Sequence, residues 1–224
     1  MATLNVTEIA QYHAQGYLVP GFRLPDARID HLRATLDQLI RDNPGVRPEK
    51  LVSVHIVGQG SNGKNEEGVK GNQDFLDLAM EPEILDRVEQ LIGPDVILWG
   101  CHVFYKPAGD GHETPWHQDG HYWPMRPLAT CTVWVALDES TTENGCLRVI
   151  PASHAAKTTH PHLLEDREDL VLSQRTTDAA FNEADAVDLQ LQPGQMSMHD
   201  VYMIHGCCRR PKVDHLKAEV PIQN

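Results

Sequence analysis

Apolar residues recur at helical spacing three times before residue 95. Asn5 followed by Glu8 has the form of a capping box, and Pro25 opens a second segment that stops at Asn43-Pro44-Gly45. A third segment ends at Gly93-Pro94. Each predicted helix has one apolar stripe, so each must pack against another surface. The stripes of the second and third segments are Ile29, Leu32, Leu36, Leu39 and Ile40, and Ile84, Leu85, Val88, Leu91 and Ile92.

After residue 95 the pattern changes to short runs of β-branched and aromatic residues bounded by Gly, Pro, Asn or Asp, which is typical of strands. Helices followed by strands predict a mainly β, α+β domain, an antiparallel sheet or double-sheet barrel with helices on one side. The polar stretch 155–186 lacks periodicity and is interpreted as an insertion that could cover a cavity mouth. The predicted strands are 96–106, 130–137, 146–150, 187–191 and 195–205.

The length of 224 residues suits one domain, 1–224, with one well-buried core. The formal net charge of −13 argues against binding to nucleic acid or to an anionic membrane. No apolar stretch approaches the ~20 residues of a membrane span, and the N-terminus lacks the features of a secretory signal. We therefore expect a cytoplasmic protein, and the odd count of five cysteines without a C-x-x-C pair favours reduced thiols.

A glycine-rich segment, 58–71, contains a misleading motif. Gly58 to Asn65 reads GQGSNGKN, which matches G-x-G-x-x-G and nearly matches a phosphate loop. A phosphate loop needs a hydroxyl where Asn65 stands and a helix directly after it, but an acidic stretch with two further glycines follows here. We therefore expect a mobile surface loop or an active-site flap rather than a nucleotide site.

The segment WHQDGHYWPMRP, Trp116 to Pro127, carries the main candidate chemistry. His117 and Asp119 are two residues apart, so on an extended backbone their side chains leave the same face and can converge. Two histidines and one carboxylate are a common ligand set for iron(II), with positions left for a chelating cosubstrate and dioxygen. A third ligand is then needed from a distant strand.

Two histidines in the last predicted strand could supply that ligand. His199 and His205 are six residues apart, which on a continuous strand places them on one face but ~20 Å from each other. Only one of them could then bind the same metal. The pattern alone leaves the choice open, although His205 precedes Gly206, where a backbone can approach a ligand closely.

The combined motifs resemble the phytanoyl-CoA dioxygenase family. They are the 116–127 segment, the strand TVWVAL at 132–137 and ENGCLRVIPASH at 143–154, within a similarity that runs from Gly16 to Gly206. The resemblance implies a double-stranded β-helix, or cupin-like jelly roll, that uses Fe(II), 2-oxoglutarate as cosubstrate and O2. It also implies that His117, Asp119 and His205 bind the iron and that His199 does not. The domain would comprise helical support at 1–94, a jelly-roll core at 95–206 and an atypical tail at 207–224.

Alternation along the strand before the motif places His102, Phe104 and Lys106 on one face. If that face points inward these residues line the substrate pocket, whereas the opposite register buries Val103 and Tyr105.

The resemblance suggests further roles near the predicted iron. It places Trp134 beside the cosubstrate, although a core position would also suit this residue. Trp123 and Arg126 are candidates for the substrate pocket, against packing or surface roles. No catalytic residue is predicted beyond the three metal ligands.

The tail departs from the family pattern. An arginine about ten residues after the last ligand normally grips the distal carboxylate of 2-oxoglutarate, but 212–217 holds none. Lys217 or Arg209 is the candidate substitute, and Cys207 stands where a small hydroxyl residue is usual. The chain also stops at Asn224, before we expect the final strand to have room to form.

The leading hypothesis is a 2-oxoglutarate-dependent dioxygenase that hydroxylates a small-molecule or acyl substrate and releases succinate and CO2. The altered tail leaves activity in doubt, so one alternative is a metal-binding jelly roll without catalysis. The other is a zinc-dependent hydrolase or isomerase. Substrate identity and oligomeric state do not follow from the sequence.

Overall fold

The computed structural model describes residues 3–58, 69–109 and 111–207, and the backbone of 217–223. Its helices confirm the three predicted segments. The capping box is present, because Asn5 Oδ1 accepts the amides of Thr7 and Glu8 while the Glu8 carboxylate accepts the Asn5 amide. Two short helices, α3 Gln73–Ala79 and α5 Asp119–Tyr122, were not predicted. The described helices are α1 Val6–Gln15, α2 Asp26–Asp42, α3 Gln73–Ala79, α4 Pro82–Ile92 and the one-turn α5 Asp119–Tyr122.

The strands form two main antiparallel sheets and one hairpin. They are β1 Tyr17–Leu18, β2 Ile97–Leu98, β3 His102–Val103, β4 Thr114–His117, β5 Thr130–Ala136, β6 Leu147–Val149, β7 His162–Leu164, β8 Gln174–Thr176, β9 Val187–Leu189, β10 Met196–Asp200, β11 His205–Cys207 and β12 Lys217–Gln223. The large sheet has the order β1-β10-β5-β12-β2, with β3 also paired to β12. The small sheet has the order β4-β11-β6-β9, and β7 pairs with β8.

The molecule has three layers, with the large sheet in the middle. Along β5, Val133 and Val135 pack with the helices, whereas Trp134 and Ala136 pack toward the small sheet. Every residue of β5 is buried, because both faces of this strand are covered. The cluster between the two sheets is Trp134, Ala136, Leu147, Val149, Leu189, Leu191 and Met203.

The predicted strand 195–205 is wrong as one continuous element. The chain leaves the large sheet at Asp200, turns at Val201 and Tyr202, and enters the small sheet at His205. The predicted strand 96–106 is likewise reduced to β2 and β3, separated by Trp99 to Cys101.

The expectation that the chain stops short of its final strand is also wrong. Lys217–Gln223 forms β12, which pairs with β5 from Lys217 opposite Ala136 to Gln223 opposite Thr130. Seven residues at about 3.3 Å each span the length of β5, so the segment is long enough to complete this part of the sheet.

The 155–186 stretch contains the β7–β8 hairpin, and its Val171 and Leu172 line a cavity of about 200 Å³. The glycine-rich motif falls mainly on 59–68, outside the described residues. Cys101, Cys131, Cys146 and Cys207 are buried thiols that form no disulfide bonds. None of the described helices combines the length and apolarity that a bilayer crossing needs.

Candidate metal centre

The small sheet brings two histidines together. His117 ends β4 and His205 begins β11, and the two residues are direct partners in the antiparallel register. Directly opposed side chains of such a pair leave the same face of the sheet. Their imidazole centroids are 4.2 Å apart, and both residues are buried.

Asp119 completes the cluster from the first residue of α5. Gln118 is extended, as the H-x-D interpretation requires, but the helical turn begins at Asp119 itself. Asp119 Oδ1 lies 3.6 Å from Nε2 of His117 and 3.6 Å from Nε2 of His205. One ligand atom from each residue lies within 4.8 Å of the other two, as three ligands of one ion require.

Backbone carbonyl groups orient both imidazoles. His117 Nδ1 donates to the Pro115 carbonyl at 2.8 Å, and His205 Nδ1 donates to the Met203 carbonyl at 3.0 Å. Each bond fixes the proton on Nδ1 and leaves the Nε2 lone pair facing Asp119. This arrangement of the outer nitrogens is typical of metal-binding histidines.

The large sheet supports the other oxygen of Asp119. Thr132 on β5 and His199 on β10 are direct partners in the register of that sheet. Thr132 Oγ1 donates to Asp119 Oδ2 at 2.8 Å, and His199 Nε2 lies 3.4 Å from the same oxygen. Asp119 therefore lies between the sheets, with Oδ1 toward the histidine pair and Oδ2 toward Thr132 and His199.

The expected separation of ~20 Å between His199 and His205 is wrong. Their ring centroids are 4.4 Å apart, because the turn after Asp200 carries His205 back toward His199 in the other sheet. His199 is fully buried, and neither ring nitrogen has a hydrogen-bond partner among the described residues. Its Nε2 faces Oδ2 of Asp119, whereas Nε2 of His117 and Nε2 of His205 face Oδ1.

Electrostatics favour the metal-binding protonation states of Asp119 and His205. Burial alone would raise the pKa of Asp119, but the surrounding histidines, His205 first, hold this pKa well below its usual value. Burial, with a further contribution from His117, lowers the pKa of His205 well below its usual value. An ionised carboxylate and a neutral imidazole are the forms that bind metal.

The cluster forms part of the wall of a cavity of about 200 Å³. Of the residues predicted near the site, His102, Phe104, Trp123, Trp134 and Cys207 line this cavity. Phe104 and Trp134 stack with ring centroids 5.7 Å apart. Val103 packs in the large core on the other face of β3. His102 therefore faces the cavity, as in the inward-facing register that we described for this strand.

Four other predicted residues do not line the cavity or cannot be placed. Lys106 is buried at 1% exposure and is not among the lining residues. Arg126 is exposed and donates to the Met125 carbonyl, so it lies away from the cavity. Arg209 and the side chain of Lys217 lie outside the described part of the chain.

Sequence reasoning missed several residues at this site. The alternation of Thr132 with the core residue Val133 places Thr132 on the opposite face of the strand, and this could have been inferred from the sequence. That His199 lies opposite Thr132 depends on the register between two strands, which the sequence pattern does not give. Glu49 and Lys50 line the cavity from a 3-10 turn, Pro48–Lys50, and no sequence motif marked them.

The donor set fits iron(II). Two Nε2 atoms and one carboxylate oxygen are available on one side of the cavity. Each of the three side chains is held in place by a hydrogen bond at its other nitrogen or oxygen, which is Nδ1 in the histidines and Oδ2 in Asp119. Two imidazoles with one carboxylate are the ligands of many non-heme iron oxygenases.

Comparison with known proteins agrees with this chemistry. A family model described as "Phytanoyl-CoA dioxygenase (PhyH)" matches residues 12–209. "Phytanoyl-CoA dioxygenase, peroxisomal" from Homo sapiens is 31% identical over 166 residues, covering 67% of this chain and 48% of the human protein. "L-proline trans-4-hydroxylase" from Streptomyces griseoviridis is 29% identical over 164 residues, covering 70% and 56%. The chain spans about half the length of the curated relatives it matches.

Solved structures share the fold. The apo form of the non-heme monooxygenase ThoJ has a TM-score of 0.74 at 24% identity, covering 96% of this chain and 76% of ThoJ. EctD from S. alaskensis, solved with 2-oxoglutarate and 5-hydroxyectoine, has a TM-score of 0.73 at 19% identity, covering 98% and 76%. These likenesses confirm the predicted jelly-roll class. With the family model covering most of its length, the chain belongs to the phytanoyl-CoA dioxygenase family.

Proposed function

We propose that the chain is an Fe(II)/2-oxoglutarate-dependent dioxygenase that hydroxylates a small-molecule or acyl substrate, with release of succinate and CO2. The observation that carries the proposal is the buried cluster of His117, Asp119 and His205 at the wall of a cavity. Family membership supports the choice of iron and 2-oxoglutarate over other metal chemistry.

In this proposal the three residues hold iron through two Nε2 atoms and Oδ1 of Asp119. Bound iron with 2-oxoglutarate supplies the activation of dioxygen and the oxidation of a C–H bond. The chain itself contributes geometry, because the Pro115 and Met203 carbonyls hold the imidazoles and Thr132 holds the carboxylate. Apolar walls limit the access of water to the cluster.

The cosubstrate contacts remain predictions. Trp134 and Cys207 line the same cavity as the cluster, which supports a place for 2-oxoglutarate beside them. For the distal carboxylate we propose Lys217 or Arg209. Replacing the correct residue by alanine should raise the KM for 2-oxoglutarate with little effect on metal affinity, whereas the other alanine variant should leave KM unchanged.

The decisive experiment measures metal binding and turnover together. Purified protein is given Fe(II), ascorbate, oxygen and 2-oxoglutarate, and succinate is quantified, while Co(II) affinity is measured separately by optical titration. His117→Ala should lose both succinate formation and Co(II) binding. His121→Ala is the matched control, because His121 is exposed and hydrogen bonds to Gln174 rather than to the cluster.

Two outcomes would reject the proposal. Metal binding without any consumption of 2-oxoglutarate would favour a metal-binding protein without catalysis. An activity that persists under strict anaerobiosis with zinc would favour a hydrolase or isomerase, because a dioxygenase requires oxygen.

A further inference from the structure

The residue between the two ligands of the H-x-D motif is completely buried. Gln118 has an extended backbone, with φ −123° and ψ 130°, so its side chain leaves the chain on the side opposite to that of His117. It has 0% exposure to solvent. A buried amide side chain needs hydrogen-bond partners for both its oxygen and its nitrogen, so the partners of Gln118 show which segments it joins.

The side chain of Gln118 bonds to the backbone of two distant segments. Nε2 donates to the Tyr202 carbonyl at 2.7 Å and to the Thr158 carbonyl at 3.0 Å. Oε1 accepts from the His160 amide at 2.7 Å. These bonds tie the H-x-D motif to the turn after β10, which contains Tyr202, and to the beginning of the 155–186 stretch.

The main chain of Gln118 is held by the same stretch. Its amide donates to Nε2 of His162 in β7 at 3.3 Å. His162 Nδ1 donates to the His160 carbonyl at 2.9 Å, so the Nε2 lone pair is left to accept from Gln118. Gln118 is thus fixed through both its side chain and its backbone.

The small sheet holds one ligand of the motif but not the other. β4 ends at His117, whose register partner is His205, whereas Asp119 already lies in the one-turn helix α5. The ladder between β4 and β11 therefore does not set the distance between the Asp119 carboxylate and the two imidazoles.

The turn after β10 supports the backbone on both sides of this carboxylate. On one side, Gln118 bonds to the Tyr202 carbonyl. On the other side, the Gly120 amide donates to the Val201 carbonyl at 3.0 Å. The same turn leads into His205, three residues after Tyr202, so it connects the motif to the third ligand.

We propose that Gln118 is a positioning residue for the metal, an inference that rests on the metal centre of the proposed function. Without contacting the ion, it sets where Asp119 lies relative to the histidine pair, because it anchors the motif to the turn that delivers His205. A metal site requires its ligands to be held to within about 0.5 Å of their productive geometry. Loss of outer contacts of this kind typically reduces metal affinity about 10- to 100-fold.

Asn43 provides a matched control for this role. It is buried at the end of α2, a helix that carries no predicted metal ligand. Its Nδ2 donates to the carbonyls of Leu39 and Lys70 at 2.8 and 3.1 Å, and its Oδ1 accepts from the Lys70 amide at 2.7 Å. The amide groups of Asn43 and Gln118 therefore make the same set of three backbone hydrogen bonds in different parts of the fold.

The test compares Gln118→Met with Asn43→Leu, which both remove the amide group with little change in size. Both variants should lower the urea midpoint of metal-free protein in EDTA, because each leaves buried backbone groups unpaired. Only Gln118→Met should weaken Co(II) binding, by at least about tenfold, and shift the visible absorption bands of bound Co(II), which report its coordination geometry. Asn43→Leu should keep the affinity and the spectrum of the original chain.

A second measurement needs no variant and decides the matter if Gln118→Met does not fold. Coupling between metal binding and the Gln118 hydrogen bonds is reciprocal, so Zn(II) should slow the solvent exchange of the Gln118 Nε2 protons, followed by NMR. The factor should be larger than that for the Asn43 Nδ2 protons, which sense only the general gain in stability.

Three results would overturn the inference. They are unchanged Co(II) affinity and spectrum in Gln118→Met, equal losses of Co(II) affinity in the two variants, and equal slowing of exchange at the two amides. Normal succinate formation alongside such a result would leave the proposed function standing. The expected Co(II) pattern without succinate formation by the original chain would reject only the proposed function.

Discussion

The hydrogen bond from Thr132 to Asp119 offers a sharp test of how the metal site is held. Thr132→Val replaces the hydroxyl by a methyl group of similar size and leaves no cavity. The bond is 2.8 Å long, fully buried and made to a charged acceptor. Hydrogen bonds to charged groups contribute about 1.5–3 kcal/mol to stability, so we expect a loss in this range in metal-free protein.

The same substitution should weaken metal binding. Thr132 orients Oδ2 and thereby aims Oδ1 at the histidine pair, and loss of such outer contacts typically reduces metal affinity about 10- to 100-fold. Urea unfolding in the presence of EDTA measures the first effect, and optical titration with Co(II) measures the second.

Thr130→Val is the matched control on the same strand and the same face. Thr130 is equally buried, but among the described residues its hydroxyl reaches only the sulfur of Met125, at 3.4 Å. Sulfur is a weak acceptor, so this variant should lose less than about 1 kcal/mol and bind Co(II) normally. Equal behaviour of the two valine variants would refute the supporting role assigned to Thr132.

Three further predictions concern stability. Burial lowers the pKa of His102 to about 4, against 6.5 for an unfolded histidine. Between these values the unfolded chain binds a proton that the folded chain does not, so the unfolding free energy should fall as the pH drops, by about 1.6 kcal/mol from pH 6.5 to 5. Urea unfolding of His102→Gln should show a pH slope that is smaller by this amount, and an unchanged slope would contradict the assignment. Gly16→Ala should destabilise by about 1–3 kcal/mol beyond the backbone strain at φ +79°, because the new methyl would overlap the side chains of His154 and Met203. Gly109→Ala is its control in thermal unfolding, since Gly109 has φ +76° but no neighbour within 4 Å among the described residues, and equal losses would refute the steric argument. Finally, Co(II) at 100 times its Kd should stabilise the protein by about 2.7 kcal/mol, and EDTA should abolish this gain. His205→Ala should show no such gain, and a full metal-induced rise in Tm in this variant would exclude His205 as a ligand.

Local patterns predicted three of the described helices and the pairing of His117 with Asp119, because both depend on spacing along a few residues. Resemblance to the family selected His205 as the third ligand. The break after Asp200 escaped prediction, since the turn residues include Val201 and Tyr202, which are good strand formers. Tertiary pairing with two different sheets overrides that propensity.

The other contacts of the site depend on the register between strands that are far apart in the chain, which a local sequence pattern does not give. Thr132 and His199 act on one oxygen because β5 and β10 align them, and the two residues are far apart in the chain. Glu49 depends in the same way on the bridge between Leu51 and Val103. β12 was missed because its pairing with β5 compensates for the weak strand signal of a segment that contains Pro221.

The position of Asp119 between the sheets has a consequence for how the protein opens. A bound ion would join the histidine pair of the small sheet to a carboxylate that Thr132 of the large sheet holds by a hydrogen bond, and it would thus reinforce the contact between two layers that also pack through an apolar cluster. Backbone amides of β5 and β11 should then exchange hydrogen for deuterium at a common, slower rate in the metal-loaded protein. The ion would thus limit separation of the layers as well as provide the reaction centre.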